Sequence, residues 1–143
     1  MTSTDPQHFC NSFALRQAAR TVTQLYERHV SKSGITAPQF TILVVIGRKP
    51  GITMAELSTA MVMDRTTLVR ALKPLQRDGF VVAEQQRETG TRAVALRLTS
   101  GGEKTRTEAS VYWREAQLEF EEKFGQERSD ALRKSLFELT ALF

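Results

Sequence analysis

Apolar and polar positions repeat along this chain with two different periods, and the change of period divides it. Over residues 7–32 the apolar positions recur at three- and four-residue steps: Phe13, Ala14, Ala18, Val22, Leu25, Tyr26 and Val30. That spacing gives one face of an α-helix. Ser33 and Gly34 close it, because glycine adopts the left-handed conformation that ends many helices. Thr36 is placed to cap a second helix, with Pro38 in its first turn and its end near Lys49, before Pro50 and Gly51. Residues 40–47 are almost wholly apolar, which predicts a buried helix; a membrane span would need roughly 20 such residues.

A short third helix is predicted over 53–61. Thr53 and Glu56 have capping-box spacing, and Met54, Leu57 and Met61 form its apolar stripe. Asp64 opens a fourth helix that ends at Asp78 and Gly79, with Leu68, Ala71, Leu72 and Leu75 facing inward. Pro74 lacks an amide hydrogen and is expected to kink its last turns. Beyond it the period falls to two. Phe80, Val82 and Glu84 lead into one strand, and Val94, Leu96 and Leu98 alternate with Ala95 and Arg97 in another. Glu88-Thr89-Gly90-Thr91 joins the two as a hairpin. Thr99 or Ser100 then starts a long helix through Val111, Tyr112, Leu118 and Phe120 to about Phe124. After Gly125 a last helix carries Leu132, Leu136, Leu139, Leu142 and Phe143.

The expected fold is therefore mainly α with a small β-hairpin wing, in a single domain of 143 residues. A winged helix-turn-helix lobe spans 36–99, flanked by helices at 7–32 and 100–143. Lysine and arginine number 20 against 16 acidic residues, for a net charge of +4. A basic balance permits a polyanionic partner; where the cations lie decides. With Leu68, Leu72 and Leu75 inside, the fourth helix turns Arg65, Thr66, Val69, Arg70, Lys73 and Arg77 outward or to its flanks. A helix in the major groove reads bases with residues near its N-terminus and holds phosphates with those around them. Arginine can grip guanine in a bidentate way, and threonine can bond a base or touch a thymine methyl. Arg87 and Arg92 bracket the hairpin tip, where an arginine can enter a narrow minor groove. The predicted contacts to double-stranded DNA are Arg65, Thr66, Thr67, Arg70, Lys73, Arg87 and Arg92.

Residues 36–104 resemble the MarR family of bacterial regulators. The similarity lies in Leu57 and Ser58, the helix start Asp64-Arg65-Thr66-Thr67-Leu68, the helix exit from Leu75 to Gly79, and Leu96-Arg97-Leu98-Thr99 followed by Gly101 and Gly102. Family wings often carry an aspartate–arginine pair; here Arg92 lacks the preceding aspartate. The resemblance implies a transcriptional regulator, a repressor released by a small effector, with terminal helices interlocked across a two-fold axis. Phe9, Phe13, Leu132, Leu136, Leu139, Leu142 and Phe143 supply apolar material for such a homodimer. It also implies a small aromatic or phenolic effector between the long helices and the DNA-binding lobe. Tyr26, Tyr112 and Trp113 are candidates to line that pocket, with Arg16 and Arg20 to pair a carboxylate.

One branch of the family senses hydroperoxides through a first-helix cysteine. Its Cys-Phe-x-Leu setting falls at Ser12 here, so a thiol sensor at Cys10 is an alternative reading rather than the leading one. A winged helix used only for protein contacts is a second alternative. His8, Cys10 and His29 have no recognised metal-ligand spacing, so no metal and no other cofactor is expected. No G-x-S-x-G elbow or phosphate-cradling glycine loop is present, and an enzyme is not expected. Residues 1–7 carry no lysine or arginine and do not read as a signal peptide, so the expected compartment is the cytoplasm, with no membrane association.

Overall fold

The computed structural model describes residues 5–85 and 93–143. A short helix α1 (Pro6–Phe9) precedes α2 (Asn11–Val30), and a 3-10 turn (Ser31–Ser33) follows. Then come α3 (Ala37–Arg48), β1 (Ile52–Thr53), α4 (Met54–Met61), α5 (Arg65–Arg77), β2 (Val81–Gln85), β3 (Val94–Leu98), α6 (Ser100–Phe124) and α7 (Gln126–Leu142). The periodicity suggested one helix over 7–32; the structure interrupts it at Cys10, whose extended backbone caps α2. Its Sγ accepts the Phe13 N–H at 3.3 Å.

Local chemistry sets most helix ends. Gly34 has φ +88°, the left-handed conformation expected at that stop. Thr36 with Gln39, and Thr53 with Glu56, form complete capping boxes on α3 and α4. Asp64 accepts the Thr67 N–H at 2.7 Å and starts α5. Pro74 does not end that helix, which continues to Arg77. The proline falls in the last turn, and its carbonyl still receives the Asp78 N–H at 2.9 Å.

The core lies where α3 crosses the helix-turn-helix and the sheet. Phe40, Ile42, Leu43 and Ile46 of α3 pack with Leu57, Leu68, Leu72, Leu75, Val81 and Leu96. The sheet has three antiparallel strands in the order β1-β3-β2, not the two of a simple hairpin. Ile52 pairs with Leu96 and Thr53 with Ala95, so the two residues before α4 form a strand. Two residues are too few to show a period, which is why β1 is silent in the sequence. The β2 phase also shifts by one: Val81 is buried and Val82 exposed. Pairing of Val81 with Leu98 sets that register.

The long helix α6 packs against both α2 and α3. Its buried positions are Gly102, Ala109 and Ala116, while Val111 and Leu118 are exposed. Small residues seven apart let its backbone approach its neighbours closely. Of the large side chains along this helix, Val111 and Leu118 face outward and Tyr112 and Phe120 are half-buried.

Candidate nucleic-acid interface

Helices α4 and α5 are joined by a three-residue turn at Val62, Met63 and Asp64. Val62 takes φ 52° and ψ 47°, a left-handed conformation unfavourable for a β-branched residue, and is 73% exposed. Strain of this kind persists where the surroundings over-determine it, and here it falls at the C-cap of α4, at the start of the turn into α5. Leu68, Leu72 and Leu75 anchor α5 in the core. That leaves Arg65, Thr66, Thr67, Arg70 and Lys73 exposed on the opposite side and at the helix start. Among the described residues, Arg65, Arg70 and Lys73 make no ion pair, whereas Arg77 contacts Asp78 at 3.2 Å. These three cations leave an exposed basic surface along the outer side of α5.

The Asp64 carboxyl is held below the usual carboxylate range by the hydrogen bond from the Thr67 N–H, and further by the Thr67 side chain. It therefore remains ionised at the head of α5 at neutral pH. Arg87, Arg92 and the tip Glu88-Thr89-Gly90-Thr91 lie outside the described residues. The strands that lead to the tip are described, and Arg97 on β3 meets Glu84 on β2 at 3.7 Å.

The expected effector residues are only partly assembled. Tyr26 and Trp113 line one cleft of about 280 Å³ with Val22, Thr23, Phe40 and Thr41, between α2, α3 and α6. The Trp113 and Phe40 ring centroids are 6.4 Å apart. The Tyr26 hydroxyl donates to Gln117 Oε1, and burial raises its pKa above the usual phenol value. Tyr112 instead lines a separate hollow with Lys32, Glu108 and Glu115. Arg16 and Arg20 are exposed on α2 and do not line the Tyr26–Trp113 cleft, since they lie roughly three and two turns N-terminal of Tyr26. A feature that sequence reasoning missed lies across α2 and α6. His29 Nε2 is 2.6 Å from Glu119, which also holds Lys123 at 3.0 Å and Arg28 at 3.3 Å. Arg28 and His29 stand 91 and 90 positions from Glu119, so no local pattern could announce that they meet it.

The MarR family profile matches residues 33–92, from the last residue of the 3-10 turn through β2 and beyond. The M. tuberculosis transcriptional regulator MosR, solved in complex with DNA, is 32% identical, with 93% of this chain and 95% of that one covered at a TM-score of 0.82. This chain belongs to the MarR family. It is a DNA-binding transcriptional regulator of winged helix-turn-helix type, and not an enzyme. The HTH-type transcriptional regulator BilQ of Clostridium symbiosum is 29% identical over 117 residues, 82% of this chain and 78% of its own length. The PcaV regulator of Streptomyces coelicolor, solved with its natural ligand, shares the fold at a TM-score of 0.81 and 21% identity, with 99% of this chain and 97% of that one covered. Among the described residues no single helix is long and apolar enough to cross a membrane.

Proposed function

We propose that this MarR-family chain binds a pseudo-palindromic operator as a homodimer and represses from it in the cytoplasm. Helix α5 enters the major groove. Arg65, Thr66, Thr67 and Arg70 address base edges and the nearest phosphates, and Lys73 holds the backbone. Arg87 and Arg92 reach a minor groove from the wing. The observation that carries this reading is the outward side of α5, where Arg65, Arg70 and Lys73 have no ion-pair partner among the described residues. MosR was solved with DNA, which supports the same use of the same fold.

The homodimer reading rests on surface. The chain exposes 10255 Å², whereas a compact monomer of this mass exposes roughly 7,400 Å². Phe9, Phe13, Leu132, Leu136, Leu142 and Phe143 are all exposed on the terminal helices. A two-fold contact covers both copies of such a face at once.

Selection of bound sequences from random duplexes tests the DNA reading. The expected product is an inverted repeat whose affinity falls steeply with salt, because each neutralised phosphate releases counterions. A protein that enriches no sequence, or whose binding ignores salt, overturns it.

A second reading has its own observation. The cleft at Tyr26 and Trp113 lies between α6 and the DNA-binding lobe, and its walls are aromatic and apolar with two threonine hydroxyls. That chemistry suits a small aromatic or phenolic effector that releases the operator, and PcaV carries a ligand in the same fold. Trp113 is the chain's one tryptophan, so its fluorescence reports occupancy directly. Saturable quenching by a panel of phenols and aromatic acids, lost in Tyr26→Ala, is expected. An unresponsive Trp113 across the panel counts against this cleft.

A further inference from the structure

The outward and flanking positions of α5 are polar with one exception. Arg65, Thr66, Arg70, Lys73, Gln76 and Arg77 are exposed, and among them stands Val69, 38% exposed. Its neighbours one turn away are Arg65 and Thr66 on the N-terminal side and Leu72 and Lys73 on the C-terminal side. Only Leu72 of these is buried, so Val69 is not a core residue. A β-branched side chain is a poor choice for an exposed helix site, where alanine or a long polar residue is favoured by roughly 0.5 kcal/mol.

Its chemistry makes sense against DNA. Along the major groove the base edges present hydrogen-bond donors and acceptors, and one apolar group, the C5-methyl of thymine. A valine among arginines and a threonine has nothing to offer a donor or acceptor. Against a cytosine amino group or a guanine oxygen it would strip water and return no hydrogen bond. Against a methyl it buries apolar surface on both sides.

We propose that Val69 is a specificity-determining residue that reads the methyl group of one thymine in each half-site. This rests on the reading that places α5 in the major groove, and it adds the base and the atom that are recognised. The neighbouring cations supply affinity for any sequence; Val69 makes one position of the half-site thymine.

The test uses the full-length protein and the operator selected from random duplexes. Each thymine is replaced in turn by deoxyuridine, which removes the methyl and leaves pairing intact. Wild type is expected to lose about fourfold in Kd at one position per half-site, the worth of one buried methyl, and roughly fifteenfold when both half-sites are changed. Val69→Ala is expected to keep its salt dependence and lose that discrimination, binding the thymine and deoxyuridine operators equally. Because the site is exposed and alanine favours the helix, the variant should unfold at or slightly above the wild-type denaturant midpoint. Equal deoxyuridine penalties in wild type and Val69→Ala, or no penalty at any position, overturn the inference while leaving the groove reading intact. A protein that selects no operator overturns both.

Discussion

Gly102 packs against the backbone of Phe80 so closely that a Cβ on it would stand 2.1 Å from the Phe80 carbonyl oxygen. That oxygen accepts the Thr99 N–H at 3.0 Å, and the Thr99 hydroxyl donates to the Gly79 carbonyl at 2.5 Å. The start of α6 is thereby joined to the exit of α5. The obstructing atom is backbone, so it cannot move aside as a flexible side chain would. Gly102→Ala should therefore destabilise the protein by about 1–3 kcal/mol, despite the better helix propensity of alanine. Urea unfolding of the variant measures this, and a midpoint at or above wild type would refute the close approach.

Acid sensitivity should trace in part to Glu119. Hydrogen bonds from His29, then Lys123 and Arg28, lower its pKa from 4.5 to about 2. A depressed carboxylate pKa means that the unfolded chain binds the proton more readily. The stabilisation is present above about pH 4.5 and is lost as pH falls toward 2. Glu119→Gln should thus lower stability at neutral pH and flatten the decline through that window. Urea midpoints collected as a function of pH would show it, and an unchanged acid slope would place the decline elsewhere.

Base reading and phosphate holding should separate on α5. Arg65→Ala or Arg70→Ala should weaken specific binding by about 1–3 kcal/mol and relax preference at one operator position if bidentate to a base. Lys73→Ala should weaken binding to all sequences alike and lower the salt slope by about one. Competition against scrambled duplexes at several salt concentrations distinguishes the two behaviours. Full operator affinity in both arginine variants would remove this helix from the interface.

Assembly and affinity should fail together. The recognition helices of a dimer should stand roughly 34–36 Å apart, one turn of DNA, which fixes half-site spacing at about 10 bp. A charge at exposed Leu136 on α7 should split the dimer, and a single half-site then supplies far fewer phosphate contacts. Sedimentation at micromolar protein, with operator titration on the same samples, examines Leu136→Glu. A variant that stays dimeric and fully active would exclude α7 from the interface.

The sequence by itself determined the parts whose cause is local. Thr36, Thr53, Asp64 and Thr99 each cap a helix through a bond to an amide three residues on, a relation visible in spacing alone. The buried Leu68-Leu72-Leu75 stripe was equally legible, and with it the outward set from Arg65 to Lys73. Tertiary structure decided whatever depends on distant neighbours. It recruited Ile52 and Thr53 into the sheet because β3 offered them an edge, and it put Val81 rather than Val82 inside through pairing with Leu98. It buried Ala109 and Ala116 of α6 and left Val111 and Leu118 outside, since close helix packing selects small side chains over more apolar ones. It brought Tyr26 to Trp113 but left Tyr112 in a different hollow and Arg16 and Arg20 outside the cleft. A helical period reports which residues share a face; only the partners packed against that face decide what the shared face becomes.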